Sequence, residues 1–129
     1  MTETLQETAA KRRVIVVDDE KVIANTLAII LNDSGFEARA AFSGEETVTL
    51  IESFRADLVI ADVIMPGMSG IEVAIIIRDK LPNCKILLLS GQAATSDMLD
   101  AARAQGYDFE ILAKPVHPTD LLEKLRRDT

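Results

Sequence analysis

The sequence has 129 residues, 48% of them hydrophobic and 27% charged, which suits one globular domain and leaves little room for two. The net charge of −7 argues against binding of nucleic acid or an anionic membrane by this chain alone, and no apolar run is long enough to span a bilayer. The single cysteine, Cys84, excludes an internal disulfide and a thiolate metal cluster. Residues 1–12 are polar and lack a signal-peptide core, which predicts a flexible tail before one domain at 13–128, and a cytoplasmic location.

Five short apolar runs alternate with five longer amphipathic segments along the chain. The short runs are continuous or alternating, as in buried strands, whereas the longer segments repeat apolar residues at helical spacing. Strands are predicted over 14–17, 36–42, 57–62, 85–90 and 109–113, and helices over 21–34, from Ser43 through Phe54, from Ser69 through Ile76, over 95–105 and over 118–128. This alternation predicts an α/β domain with a parallel sheet and helices on both of its faces. Periodicity does not reveal the strand order.

Capping signals mark several of the predicted helix ends. A Ser followed three residues later by Glu is a capping box, a Gly after the last apolar position stops a helix, and Pro suits a first turn. The signals are the capping boxes Ser43/Glu46 and Ser69/Glu72, the stop residues Gly35 and Gly106, an N-cap at Thr95 or Ser96, and Pro118.

Charged and hydroxyl side chains follow four of the five predicted strands. Asp18 and Asp19 follow the first strand, Asp62 ends the third, Ser90 ends the fourth, and Lys114 follows the fifth. Each has an ordinary explanation taken singly, such as a helix start, a turn or a solvated tip. The carboxyl ends of parallel strands meet at one edge, however, and this edge is where open α/β sheets bind ligands.

Three carboxylates at one edge predict a cation site. At an effective dielectric constant near 20, two carboxylates about 4 Å apart repel by around 4 kcal/mol, so the cluster needs a divalent cation. Oxygen ligands without His or Cys favour Mg²⁺, Mn²⁺ or Ca²⁺ over zinc. A small number of protein ligands leaves several waters on the metal, as Mg²⁺ prefers. A cation beside one Lys and one hydroxyl suits a phosphoryl group, which Asp62 would accept as a nucleophile.

The motifs VIVVDDE, ADVIMPGMSG, ILLLSG and AKP occur in this order at suitable spacing. With them the chain resembles the receiver domain of two-component response regulators, from Arg13 onward. The resemblance implies a flavodoxin-like three-layer α/β/α sandwich with a five-stranded sheet of order 2-1-3-4-5. It implies a regulated binding module rather than an enzyme, phosphorylated by a histidine kinase or phosphotransfer protein and acting on an output partner or attached effector. It leaves open a homodimer through the fourth helix, fifth strand and fifth helix.

The resemblance assigns the acidic residues to phosphoryl acceptance and metal binding. Asp62 corresponds to the phosphoacceptor. Asp19, Asp62 and the backbone carbonyl of Ile64 correspond to Mg²⁺ ligands, and Asp18 supports the metal through water.

The resemblance also assigns the residues that respond to the phosphoryl group. Ser90 corresponds to the switch hydroxyl and Lys114 to the phosphoryl-binding lysine, with a cis peptide bond before Pro115. Ile111 departs from the family, which often has an aromatic switch residue there, and one extra residue lies between Gly106 and the fifth strand.

Two other functions compete with this interpretation. A phosphatase of the haloacid dehalogenase type also uses an Asp nucleophile at a strand end, but it needs a second Asp two residues later, where this chain has Ile64. It also usually needs a cap domain, for which the chain has no room. A pseudo-receiver would bind partners without phosphorylation, which the complete set of site residues argues against.

Overall fold

The computed structural model describes residues 11–91 and 95–127, without the side chain of Thr95. Strands and helices alternate along the described chain, as the sequence predicts. The strands are β1 (Arg13–Val17), β2 (Glu37–Ala41), β3 (Leu58–Asp62), β4 (Lys85–Ser90) and β5 (Glu110–Ala113). The helices are α1 (Lys21–Asp33), α2 (Gly44–Leu50), α3 (Gly70–Lys80), α4 (Thr95–Ala104) and α5 (Pro118–Arg127).

The five strands form one parallel sheet in the order β2-β1-β3-β4-β5, which confirms the predicted fold. Alternate residues of each strand face opposite layers of helices. Ile15 and Val17 pack into the core under α2, α3 and α4, whereas Val14 and Val16 pack into the core under α1 and α5. The strand order therefore reverses between β1 and β3, so the edge above these two strands is the expected ligand site.

Two predicted features of α2 differ from the structure. Ser43 accepts a hydrogen bond from the Glu46 amide at 3.0 Å, but the Glu46 carboxylate accepts from the Phe42 amide rather than from Ser43. The Ser43 capping box was therefore half wrong, because the carboxylate reaches one residue further back. The helix also ends at Leu50, and Phe54 is buried from the turn that follows instead of from a continued helix.

The end signals predicted at Ser69/Glu72, Gly35, Gly106 and Pro118 are confirmed. Ser69 and Glu72 form a reciprocal capping box. Gly35 and Gly106 adopt φ values of 99° and 93°, which side chains with a Cβ rarely tolerate.

Some predictions concern the ends of the described segments. α4 includes Thr95 and Ser96, so neither is its N-cap, and residues 92–94 lie outside the described part. Of the predicted tail, residues 1–10 lie outside it as well, while the Arg12 carbonyl accepts a hydrogen bond from the Glu37 amide at 2.9 Å. Among the described residues, every helix is too short or too polar to cross a membrane.

Candidate functional site

The carboxyl ends of β1 and β3 bring three aspartates together. Val17 pairs with Ala61 in the sheet, so Asp18 and Asp62 emerge side by side. One carboxylate oxygen from each of Asp18, Asp19 and Asp62 lies within 4.8 Å of the others. Asp18 is 2% exposed and Asp62 is 8% exposed, while Asp19 faces solvent. The predicted acidic cluster therefore exists, with two of its three members buried.

Lys114 supplies the positive charge of this site. Its Nζ lies 3.4 Å from Asp62 Oδ2, and its side chain is only 30% exposed. The backbone amide of Lys114 donates to the Ser90 carbonyl at 3.0 Å, so the ends of β4 and β5 place these two residues at the same rim. The Lys114–Pro115 peptide bond is cis, as predicted. Asp62 therefore lies close to one ammonium group and to two further carboxylates.

Burial makes the negative charges of this cluster unfavourable. Burial is the largest cause that raises the pKa of Asp62, and Asp19 raises it further, while Lys114 and the Ile64 amide lower it. Burial also raises the pKa of Asp18, against a hydrogen bond at 2.9 Å from the Glu20 amide to its Oδ1. Three carboxylates face one ammonium group at this site, so ionisation of all three leaves excess negative charge, which a cation would relieve.

The donor set fits a hard divalent cation. Asp19 and Asp62 border an open cleft of about 520 Å³, and Asp18 lies next to them within the cluster. The cleft is also lined by Glu20, Ile23, Ile64, Gly91, Lys114 and Pro115. No His or Cys lines this cleft among the described residues, and its size leaves room for water on a cation. This combination suits Mg²⁺, which keeps several waters and binds few carboxylates.

The loop after β3 is fixed against the backbone of Asp62. The Gly70 amide donates to the Val63 carbonyl at 2.9 Å. A Cβ on Gly70 would lie 2.2 Å from the Asp62 carbonyl oxygen, which no side chain permits. Gly67 adopts a φ of 73° within the same loop. The glycines that follow Asp62 in the sequence therefore hold the start of α3 tightly against the strand that carries the acid.

The sequence did not predict the apolar surface beside the acids. Val22 is 78% exposed and Ile64 is 50% exposed. A mostly apolar cleft of about 400 Å³ lies between α1 and the segment from Lys114 to Pro118. Val22 is an apolar residue of α1 that lies outside the stripe packing into the core. This position was the signal in the sequence for an exposed apolar surface.

A buried strand-end aspartate with two neighbouring acids and a lysine, in a sheet of this order, is the arrangement typical of receiver domains of two-component systems. The family model for the response regulator receiver domain matches residues 14–126, and the chain belongs to that family. Phosphorylation on an aspartate and Mg²⁺ binding are general features of this family.

Relatives and solved structures agree with this assignment. The DNA-binding response regulator MtrA of Mycolicibacterium paratuberculosis is 30% identical over 116 residues, which are 90% of this chain and 50% of that protein. The transcriptional regulatory protein YvrH of Bacillus subtilis is 30% identical over 88% of this chain and 47% of its own length. The chain therefore spans about half the length of these curated relatives.

Two solved structures show the same fold along nearly their whole length. The CheY-like receiver domain protein of Methanospirillum hungatei is 27% identical with a TM-score of 0.82, over 92% of this chain and 94% of that one. The response regulator TrrA of Thermotoga maritima, in complex with Mg²⁺-BeF, is 37% identical with a TM-score of 0.75, over 90% of this chain and 97% of that one.

Proposed function

We propose that this domain accepts a phosphoryl group on Asp62, with Mg²⁺, from a histidine kinase or a histidine phosphotransfer protein. The observation that carries the proposal is the Asp62 carboxylate, buried beside two acids and 3.4 Å from the Lys114 ammonium. Asp19, Asp62 and the Ile64 carbonyl would hold Mg²⁺, with Asp18 acting through water. Bound Mg²⁺ would neutralise charge on the carboxylates and on the phosphoryl oxygens.

The transfer exchanges one bond to phosphorus for another. An Asp62 carboxylate oxygen attacks the phosphorus of a phosphohistidine, and the bond from phosphorus to the imidazole nitrogen breaks. The imidazole leaves with the electron pair, and Asp62 becomes an acyl phosphate. Lys114 donates to a phosphoryl oxygen, and its charge stabilises the oxygens as negative charge gathers on them. Attack of water later releases inorganic phosphate and restores the carboxylate.

The new phosphoryl group would shift the domain between two conformations. The Ser90 hydroxyl would move to a phosphoryl oxygen, and the face formed by α4 and β5 would respond. The output is a partner protein or an attached effector. Both curated relatives named above are about twice as long as this chain, and one is named as DNA-binding and the other as transcriptional. Gene regulation is therefore the leading output, and a homodimer through α4, β5 and α5 is its proposed active form. The domain works in the cytoplasm and turns over no separate substrate.

Intact-mass spectrometry after incubation with Mg²⁺ and acetyl phosphate tests the proposal. The wild type should gain one phosphoryl group, Asp62→Asn should gain none, and the exposed control Asp33→Asn should behave as the wild type. Removal of Mg²⁺ with EDTA should abolish labelling. Labelling of Asp62→Asn at wild-type extent would refute Asp62 as acceptor, and no labelling of the wild type would favour a pseudo-receiver. Rapid turnover of unrelated phosphoesters would favour a phosphatase.

A further inference from the structure

A second cleft, away from the acidic site, lies between α3 and α4. We call it the α3–α4 groove. Its volume is about 470 Å³, and Ile75 lines it from α3, Met98 and Ala101 from α4, and Gln105 from the turn after α4. The α4 residues recur at helical spacing, so they form one stripe along the helix. Because Ala101 has a short side chain and is exposed, the groove stays open to solvent along α4.

The two ends of the α3–α4 groove differ. At one end, the Tyr107 hydroxyl donates to Asp79 at 3.1 Å, and the Tyr107 ring stacks on Phe109 with ring centroids 6.1 Å apart. The Arg78 guanidinium lies 5.2 Å from the centre of the Phe109 ring. The segment after α4 is therefore attached to α3. At the other end, the groove reaches the loop that follows the phosphoacceptor, at Gly67.

The α3–α4 groove is bordered by acids. Glu72 lines it, and Asp79 lies one helical turn beyond Ile75 at the attached end. At the other end, a Cβ on Gly67 would lie 3.1 Å from Glu45 Oε2, so a third carboxylate lies against that residue. No Lys or Arg occurs among the described residues that line the groove. An apolar floor with an acidic border complements an apolar segment flanked by positive charges.

We propose that the α3–α4 groove is a docking site for a basic amphipathic helix of the output partner protein. Apolar side chains of that helix lie against Ile75 and Met98, and its Lys or Arg residues face Glu72 and Asp79. The groove extends along α4, a helix of 10 residues, so about three turns of partner helix match its length. This inference rests on the proposed function, because it assigns the surface through which the phosphorylated domain acts.

The position of α4 connects the groove to the phosphoacceptor site. α4 begins at Thr95, a few residues after Ser90, whereas its other end is held on α3 through Tyr107. A movement of Ser90 therefore acts on one end of α4 while the opposite end stays attached. Such a movement changes the separation of α3 and α4 and, with it, the affinity of the groove.

A synthetic amphipathic peptide of Leu and Lys, about three helical turns long and without aromatic residues, tests the proposal. Tyr107 is the only tyrosine and the chain has no tryptophan, so tyrosine emission reports on the attached end of the groove alone. Peptide lysines that compete for Asp79 should relieve quenching by its carboxylate, and emission should rise to saturation at one peptide per chain. A peptide of the same composition with its leucines spread around the helix should bind at least about tenfold more weakly.

Two arginine substitutions on α4 separate docking in the groove from general attraction to an acidic chain. Ala101→Arg places bulk and positive charge inside the groove, whereas Ala104→Arg makes the same change at an exposed position that does not line it. We expect Ala101→Arg to weaken peptide binding by about tenfold or more and Ala104→Arg to leave it within about twofold. Equal weakening by both variants, or a wild type that does not saturate, would overturn the groove as the docking site.

The same titration distinguishes failure of the groove from failure of the phosphorylation switch. Addition of Mg²⁺ and beryllofluoride should change the peptide affinity of the wild type at least about threefold and leave that of Asp62→Asn unchanged. If beryllofluoride has no effect while Ala101→Arg still abolishes binding, the groove stands and its control by Asp62 is refuted. If intact mass shows the phosphoryl adduct but Ala101→Arg binds the peptide as the wild type does, the proposed function stands and the groove is refuted.

Discussion

Substitution of Asp62 by Asn should stabilise the metal-free domain. Carboxylate oxygens of Asp18 and Asp19 lie within 4.8 Å of one on Asp62, and at an effective dielectric constant near 20 two such pairs cost about 7 kcal/mol. The ion pair with Lys114 at 3.4 Å returns about 5 kcal/mol. The net repulsion on the Asp62 charge is therefore about 2 kcal/mol. Solvent at Asp19 weakens this repulsion, whereas the burial of Asp62 adds to the cost of its charge. We therefore expect the free energy of unfolding to rise by about 1–2 kcal/mol, and the melting temperature by about 3–6 °C.

The pH dependence of this difference follows from the direction of the pKa shifts. The pKa values of Asp18 and Asp62 are raised above the ordinary 3.8, so these carboxyls bind protons more tightly in the folded state than in the unfolded state. Their stabilising contribution is present at low pH and is lost as pH rises through the raised pKa values. The advantage of Asp62→Asn over the wild type should therefore vanish below about pH 4 and reach its full size near neutral pH.

Thermal and urea unfolding in EDTA at low salt, over a range of pH, measures both effects. Glu123→Gln is the matched control, because it removes one negative charge at an exposed position of α5. Addition of Mg²⁺ should stabilise the wild type more than Asp62→Asn. A fall in the melting temperature of metal-free Asp62→Asn, or a rise no larger than that of Glu123→Gln, would refute the electrostatic account of the cluster.

Three further outcomes test the site and its coupling. Lys114→Ala should keep its Mg²⁺ affinity within about threefold or improve it, because a nearby positive charge is lost; a large loss by calorimetry would make Lys114 part of the metal site. Gly70→Ala should lower the free energy of unfolding by about 1–3 kcal/mol, because its Cβ would lie 2.2 Å from the Asp62 carbonyl oxygen; an unchanged urea midpoint would contradict this packing. Beryllofluoride with Mg²⁺ should change amide exchange more at residues 91–106 than at 109–113, and the reverse pattern would make β5 the reporter.

The absence of an aromatic residue at position 111 underlies that last expectation. Ile111 is half-buried against the core, and its β-branched side chain has few χ1 states. The aromatic residues of this region lie earlier instead, at Tyr107 and Phe109, where they attach the turn after α4 to α3. The segment that contains the extra residue predicted from the sequence thus forms the fixed end of α4.

The sequence by itself determined the order and type of the elements. Hydrophobic periodicity, the Ser69 capping box and the stop glycines Gly35 and Gly106 act over a few residues, so their physical cause lies within the segment that carries them. The same locality fixed which residues end the strands. Because parallel strands all present their carboxyl ends at one edge, the site composition followed from Asp18, Asp62 and the motif around them.

Only the tertiary structure decided how these residues face one another. Whether Lys114 reaches Asp62 depends on two strand ends 52 residues apart in sequence, 114 against 62, and no local pattern encodes the resulting 3.4 Å. The shorter α2 likewise reflects packing of the turn beyond Leu50, from which Phe54 is buried without a continued helix. The α3–α4 groove is a property of two helices brought together by the sheet. The sequence could not show which residues of α3 face which residues of α4. Side chains on separate helices meet only when long-range packing sets the distance and rotation of the helices.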